Sequence, residues 1–373
     1  MIAETGTALS GARIDSVTIS RVGVPIEPPM ISGAHYIASI DCNVVEINSG
    51  GETGVGYSFA FFPLEADSVT PLIRHLAAGL PGSPVSVLRD FGGEAWKRIN
   101  FVGRAGPAVM ALSAIDVALW DLNARHLGVS LAESLGGVPA PATLYGAGGW
   151  LSFSEEELVD EALDFRRKGF SGYKMRAGSD DWRDDVRRAA LVRDAIGDEM
   201  DLMLDANQAW SVETAKEAAA ALEPLRLAWL EEPVDCHDYS GLAAVRREAP
   251  MPIAAGETVY GSEPFRQMAE LDSLDVLQPD LMRCGGISGF LEIVAQAPAD
   301  ARICPHLFTE IAAQLVPVAG NGPVEYLPSW FSHLFDGVPE VVDGTLAPHH
   351  GKGLGISLSE ECRERWQVAR FEL

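Results

Sequence analysis

The sequence predicts an α/β protein: a barrel of alternating strands and helices, preceded by an antiparallel sheet with its own helices. Three observations carry this. Residues 14–62 alternate apolar and polar and break at Gly50-Gly51, which reads as a hairpin-rich antiparallel sheet. Residues 106–127 (GPAVMALSAIDVALWDLNARHL) carry apolar side chains at helical spacing. From about residue 142 short apolar runs alternate with helical stretches. The runs are ATLYGAG, GYKMR, DLMLDAN, AWLEEP, PIAAGET, LDVLQPD, ARICPH and GPVEYLP. Repeated strand–helix units imply a parallel sheet, and eight of them imply a closed barrel.

Bulk properties narrow the function. At 373 residues the chain is longer than one ordinary core supports, so a large domain with a smaller companion is expected. A net charge of −25 argues against nucleic acid or an anionic membrane as partner. A small anionic substrate must then find its cations locally. Five scattered cysteines form no C-x-x-C pair and read as free thiols of a cytoplasmic protein. No apolar run is long enough to span a bilayer.

The chemistry sits where the apolar runs end. In order these ends carry Lys174 and Arg176, Asp205 and Asn207, Glu231 and Glu232, Glu257, Asp280, His306 and Glu325. In a barrel the strand C-termini gather at one face, where active sites lie. Burying so many ionisable groups is costly unless they meet a ligand or one another. Asp205, Glu231 and Glu257 follow one another at equal spacing, 231 − 205 = 26 and 257 − 231 = 26. Three converging carboxylates call for a cation, and an all-oxygen set suits Mg²⁺, with Mn²⁺ as a substitute. No G-x-G-x-x-G follows a strand, which excludes a dinucleotide fold. A single histidine among the strand ends argues against a zinc hydrolase.

The motifs K-M-R at 174–176, L-D-A-N-Q at 204–208, W-L-E-E-P at 229–233, A-G-E-T at 255–258, Q-P-D-L-M-R-C-G-G at 278–286 and P-H-L-F at 305–308, with IDVALWDL at 115–122, resemble the enolase superfamily in its mandelate racemase subgroup. The resemblance implies a modified (β/α)7β barrel over residues 141–345. An α+β capping domain over 1–140 would be completed by a C-terminal tail, 346–373, that returns to it. It implies Mg²⁺ held by Asp205, Glu231 and Glu257, a His306–Asp280 dyad that moves the proton, and a homo-oligomer. Glu325, if protonated, would donate to a substrate oxygen. Lys174, Arg176 and Arg283 would offset the crowded negative charge. Asn207 would bind the substrate's 2-oxygen or a metal-bound water, and Phe59 and Phe61 would line the substrate pocket.

The implied reaction removes the proton α to a carboxylate through an enediolate. Arg176 departs from the subgroup pattern, which places a lysine base there. Freeing an arginine of its proton at pH 7 costs about 7 kcal/mol, so Arg176 reads as an electrostatic clamp and His306 as the single proton carrier. That favours dehydration of a sugar acid or related hydroxy acid to a 2-keto-3-deoxy acid. An apolar FAFFP segment at 59–63 pulls the other way, toward a racemase or epimerase of a 2-hydroxy acid. A silent acid-binding barrel is the third reading.

Overall fold

The computed structural model describes residues 11–32, 35–319, 322–327 and 333–373. The chain opens with β1 (Ser16–Ser32), β2 (His35–Ser49) and β3 (Glu52–Ala60), followed by α1 (Pro63–Ala77), α2 (Leu88–Ile99), α3 (Pro107–Leu127) and the one-turn α4 (Leu131–Ser134). The turn from β2 to β3 is Gly50-Gly51, both with positive φ, where L side chains are strained. Helix α3 spans the stretch whose periodicity predicts it. It lies so close on β3 that a Cβ at Gly54 or Gly56 would come within 2.2 Å of a backbone carbonyl of α3. The glycines of ETGVGYS are therefore the contact surface of sheet and helix.

Eight parallel strands follow among the described residues, with helices in all seven gaps between them. They are β4 (Ala142–Gly148), α5 (Glu155–Arg167), β5 (Gly172–Arg176), α6 (Trp182–Ile196), β6 (Asp201–Asp205), α7 (Val212–Leu222), β7 (Trp229–Glu231), α8 (Tyr239–Arg246), β8 (Ile253–Ala255), α9 (Glu263–Glu270), β9 (Val276–Leu277), α10 (Leu281–Cys284) with α11 (Gly286–Gln296), β10 (Arg302–Ile303), α12 (Thr309–Ala319) and β11 (Val324–Tyr326). Strands β4 to β10 pair in sequence order and β11 pairs with β4. This is a (β/α)7β barrel. Its interior is filled by Tyr145, Met203, Trp229, Ala254, Val276 and Cys304, a buried layer beneath the strand C-termini.

Two short pairs follow: β12 (Phe335–Asp336) with β15 (Ser357–Leu358), and the hairpin β13 (Val341–Val342) and β14 (Thr345–Leu346), which leans on β4. After α13 (Glu360–Arg365), the last strand β16 (Gln367–Glu372) pairs antiparallel with β1, setting Thr18 opposite Glu372. The two ends of the chain thus share one four-stranded sheet. No described helix is long and apolar enough to cross a membrane.

Candidate active site

Strand register builds the first row of the site. Arg176 is level with Asp205, and Asp205 with Glu231, on β5, β6 and β7. Because side chains alternate across a strand, level residues on adjacent parallel strands point the same way. Glu257, Asp280 and His306 lie a few residues past the ends of β8, β9 and β10. A parallel bridge between Asp280 and His306 carries the pairing beyond those short strands.

Carboxylate oxygens of Asp205, Glu231 and Glu257 all lie within 4.8 Å of one another, and all three residues are buried. Glu231 accepts from Lys174 Nζ at 2.6 Å, Trp229 Nε1 at 2.9 Å and Gln278 Nε2 at 2.6 Å. Asp205 accepts from Arg176 and from the backbone and side-chain amides of Asn207. Glu257 Oε2 accepts no hydrogen bond and lies 3.3 Å from His306 Nε2, and Arg176 Nε has no hydrogen-bond partner. Buried atoms on opposite charges left with spare hydrogen-bonding capacity at one place mark a site that a ligand completes.

Burial by itself would strip Lys174 of its proton, but the adjacent Glu231 and Glu325 carboxylates outweigh it and hold the ammonium well above its usual range. Lys174 is fully buried and is not among the residues that line the cavity. At Glu325 burial favours the neutral acid, yet Lys174 and His306 outweigh it, and the carboxyl is held below its ordinary range. Glu325 Oε2 accepts from Leu307 N at 3.1 Å, and Oε1 lies 2.9 Å from Lys174 Nζ. It acts as an acceptor.

His306 Nδ1 is 2.7 Å from Asp280 Oδ2. Asp280 also accepts from the Arg283 backbone N–H at 2.9 Å, and the Arg283 guanidinium lies 3.3 Å from it. An acceptor so occupied takes Nδ1–H as donor and leaves Nε2 toward Glu257 Oε2, 3.3 Å away, at the cavity that His306 lines. Desolvation lowers the His306 pKa, but Glu257 and Asp280 outweigh it and raise the imidazole to about 9. The backbone here is strained: Asn207, Gln208, Glu232, Leu307 and Phe308, all just past strand ends, have positive φ.

These groups open on a cavity of about 110 Å³ lined by Arg176, Asn207, Glu257, Arg283 and His306 on the polar side. Phe59 and Phe61, brought by the end of β3, line it too. Asn207 reaches the cavity while its amide serves Asp205. Arg283 donates to the Glu257 carbonyl at 2.9 Å. The sequence reading gave no role to Trp229 or Gln278, which hold Glu231, or to Trp150, whose ring lies 5.2 Å from the Arg176 guanidinium. The first two had a signal, since each stands two residues before a strand-end acid and so faces the same way. Trp150 had none. Glu232, pushed up to about 8 chiefly by burial, is held by Gln208 and Thr258.

Residues 157–362 match the enolase C-terminal domain-like family, and residues 14–136 match the mandelate racemase / muconate lactonizing enzyme N-terminal domain. An L-talarate/galactarate dehydratase of Salmonella typhimurium strain LT2 is 33% identical, over 98% of this chain and 94% of its own. The L-talarate dehydratase of Polaromonas sp. JS666, solved with Mg and L-glucarate, superposes with a TM-score of 0.91 at 30% identity, covering 97% of this chain and 99% of that one. An enolase from Bradyrhizobium, solved with magnesium and mandelic acid, gives 0.89 at 28% identity, covering 96% and 99%.

Proposed function

The chain belongs to the mandelate racemase / muconate lactonizing enzyme family, and we propose that it removes the proton α to a carboxylate and dehydrates a sugar acid or related hydroxy acid to a 2-keto-3-deoxy acid. The observation that carries this is the asymmetry of proton carriers. His306 lines the cavity, while Lys174, which would have to serve the opposite face of the substrate carbon, is buried between Glu231 and Glu325 and does not.

The donor set fits Mg²⁺: three hard carboxylates with close oxygens, one of them, on Glu257, without a hydrogen bond. Asp205, Glu231 and Glu257 would hold it. Bound there, it would supply Lewis-acid stabilisation for the negative charge that proton loss places on the substrate carboxylate. The rest is the work of side chains. Arg176, with its unpaired Nε–H, clamps the substrate's anionic end, and Arg283 lies 3.3 Å from Asp280 and steadies it. In its neutral form His306 takes the C2 proton at Nε2. The same proton then goes to the C3 hydroxyl as the C3–O bond breaks, so water leaves and the enol formed tautomerises to the 2-ketone. One group on one face suffices for both transfers. The cytoplasm as compartment, supported by five free cysteines, and a symmetric homo-oligomer, supported by the family resemblance, complete the proposal.

The test is C2-proton exchange in D₂O with Mg²⁺, run on both C2 epimers of a panel of sugar acids, together with detection of 2-keto product. Exchange from one configuration only, accompanied by loss of water, is the expected result. Comparable exchange from both, without loss of water, would replace dehydration with racemisation.

A further inference from the structure

Among the described residues, the polar groups that line the cavity come from barrel strand ends and the helix after β9, while the lining from the capping sheet and its edge is apolar: Ile37, Phe59 and Phe61. Leu307, Leu327 and Trp150 extend that apolar lining. Phe59 and Phe61 meet edge to face, centroids 5.9 Å apart, and Phe59 packs on Phe308 at 5.7 Å. Of the two lining arginines, Arg176, paired with Asp205, keeps its free Nε–H for the first carboxylate, and Arg283 is engaged with Asp280 and the Glu257 carbonyl. Among the described lining residues no cation remains for a second carboxylate. A carboxylate placed against the phenylalanines would lose its water and gain no partner.

Building on the dehydration reading, we infer that the substrate is a monocarboxylic hydroxy acid whose far carbon is deoxy, a methyl rather than a carboxylate or hydroxymethyl group. Phe59 and Phe61 set that preference. The carboxylate and the C2 and C3 hydroxyls lie among Arg176, Asn207 and His306, and the methyl end lies under the cap. This separates the chain from its diacid-consuming talarate/galactarate dehydratase relatives.

The experiment uses the Mg²⁺-loaded protein and a matched pair that cannot dehydrate, 2-hydroxypentanoate and 2-hydroxyglutarate, with binding measured by calorimetry. The monoacid is expected to bind at least tenfold more tightly, within the range by which apolar pockets discriminate. Phe61→Arg, at a partly buried position on the wall, is expected to reverse the order. Equal or tighter binding of 2-hydroxyglutarate by the unmodified protein, or binding of neither, overturns the inference. Deuterium exchange at C2 of the monoacid reports on the catalytic reading separately. Preference for the monoacid without exchange keeps the wall assignment and rejects His306 as base. Exchange with preference for the diacid does the reverse. If turnover follows the same rule, 5-deoxypentonates will exceed the corresponding pentarates in kcat/KM by a similar factor.

Discussion

Two groups of buried acids stand in this molecule and are treated oppositely. On α3, Asp116 and Asp121 are fully buried. Asp121 accepts from the backbone N–H of Val55 and Leu354 and from the Arg125 guanidinium, and Asp116 accepts from the backbone and hydroxyl of Ser288. Neither leaves an oxygen without a donor. Between them they fasten one helix to β3, to the C-terminal segment and to α11 of the barrel. At the strand ends, Glu232 keeps a buried oxygen without a hydrogen bond, and Glu257 Oε2 and Glu325 Oε1 meet cationic side chains, His306 Nε2 at 3.3 Å and Lys174 Nζ at 2.9 Å. Satisfied carboxylates fix a fold, because each donor replaces the water that burial removed. Carboxylates crowded around shared cations keep acceptor capacity that a ligand completes.

The comparison can be broken from either side. The largest effect is expected at Glu231. Glu231→Gln removes a metal ligand but leaves Lys174 its Glu325 partner. Turnover should fall by on the order of 10³–10⁵-fold, the worth of several kcal/mol of charge stabilisation, while the metal-free protein still unfolds cooperatively. Exhaustive chelation should abolish activity in the same way, and Mg²⁺ or Mn²⁺ should restore it. Calorimetric Mg²⁺ titration checks both, and full activity in chelated enzyme would sink the assignment. His306→Asn should cost about 10²–10⁴-fold in kcat with Mg²⁺ binding retained. If kcat survives, the proton leaves by another route. Arg176→Met should raise KM and lower kcat together by about 10²–10³-fold in kcat/KM, and Arg176→Lys by less, because the charge is kept.

On the structural side the readout shifts from activity to stability. Asp121→Ala orphans two backbone N–H groups and Arg125, and should cost about 2–4 kcal/mol in denaturant unfolding with kcat per folded molecule unchanged. The smallest effect is a pH dependence. Burial raises Asp116 from 3.8 to about 7 against the opposing hydrogen bonds of Ser288. A raised carboxyl means that the folded state holds a proton the unfolded chain releases. The stability this gives is full below the unfolded value and is lost as pH rises through 7. Asp116→Asn has no such proton to lose, and its amide can donate to the Ser288 hydroxyl. Its stability relative to the unmodified protein should therefore improve by about 2–3 kcal/mol between pH 5 and pH 8. A flat difference would show that Asp116 is ionised in the fold.

The barrel, the hairpin at Gly50-Gly51, helix α3 and the row of strand-end groups were legible in the sequence because they rest on local periods. Two-residue alternation and 3.6-residue repetition act within a few neighbours. The same locality put Asp205, Glu231, Glu257, Asp280 and His306 within reach of one another once eight parallel strands were inferred. What locality could not reach were the charge states and the direction of Lys174. The Glu325 carboxyl is held below its ordinary range because Lys174 and His306 are near it in space, 151 and 19 residues away in the chain (325 − 174 and 325 − 306). Asp121 has a structural role only because Leu354, 233 residues on, brings its N–H there. The apolar wall of Phe59 and Phe61 was visible as a run of letters, but its place over the charged strand ends comes from the packing of β3, whose Phe59 N–H points at Met282 Sδ, 3.3 Å away and 223 residues later. The sequence by itself determined which groups gather at the barrel mouth; the tertiary structure decided which of them carry charge and which face the cavity. Alternation is a property of neighbours, whereas ionisation follows a sum of burial and Coulomb terms over everything within several ångströms.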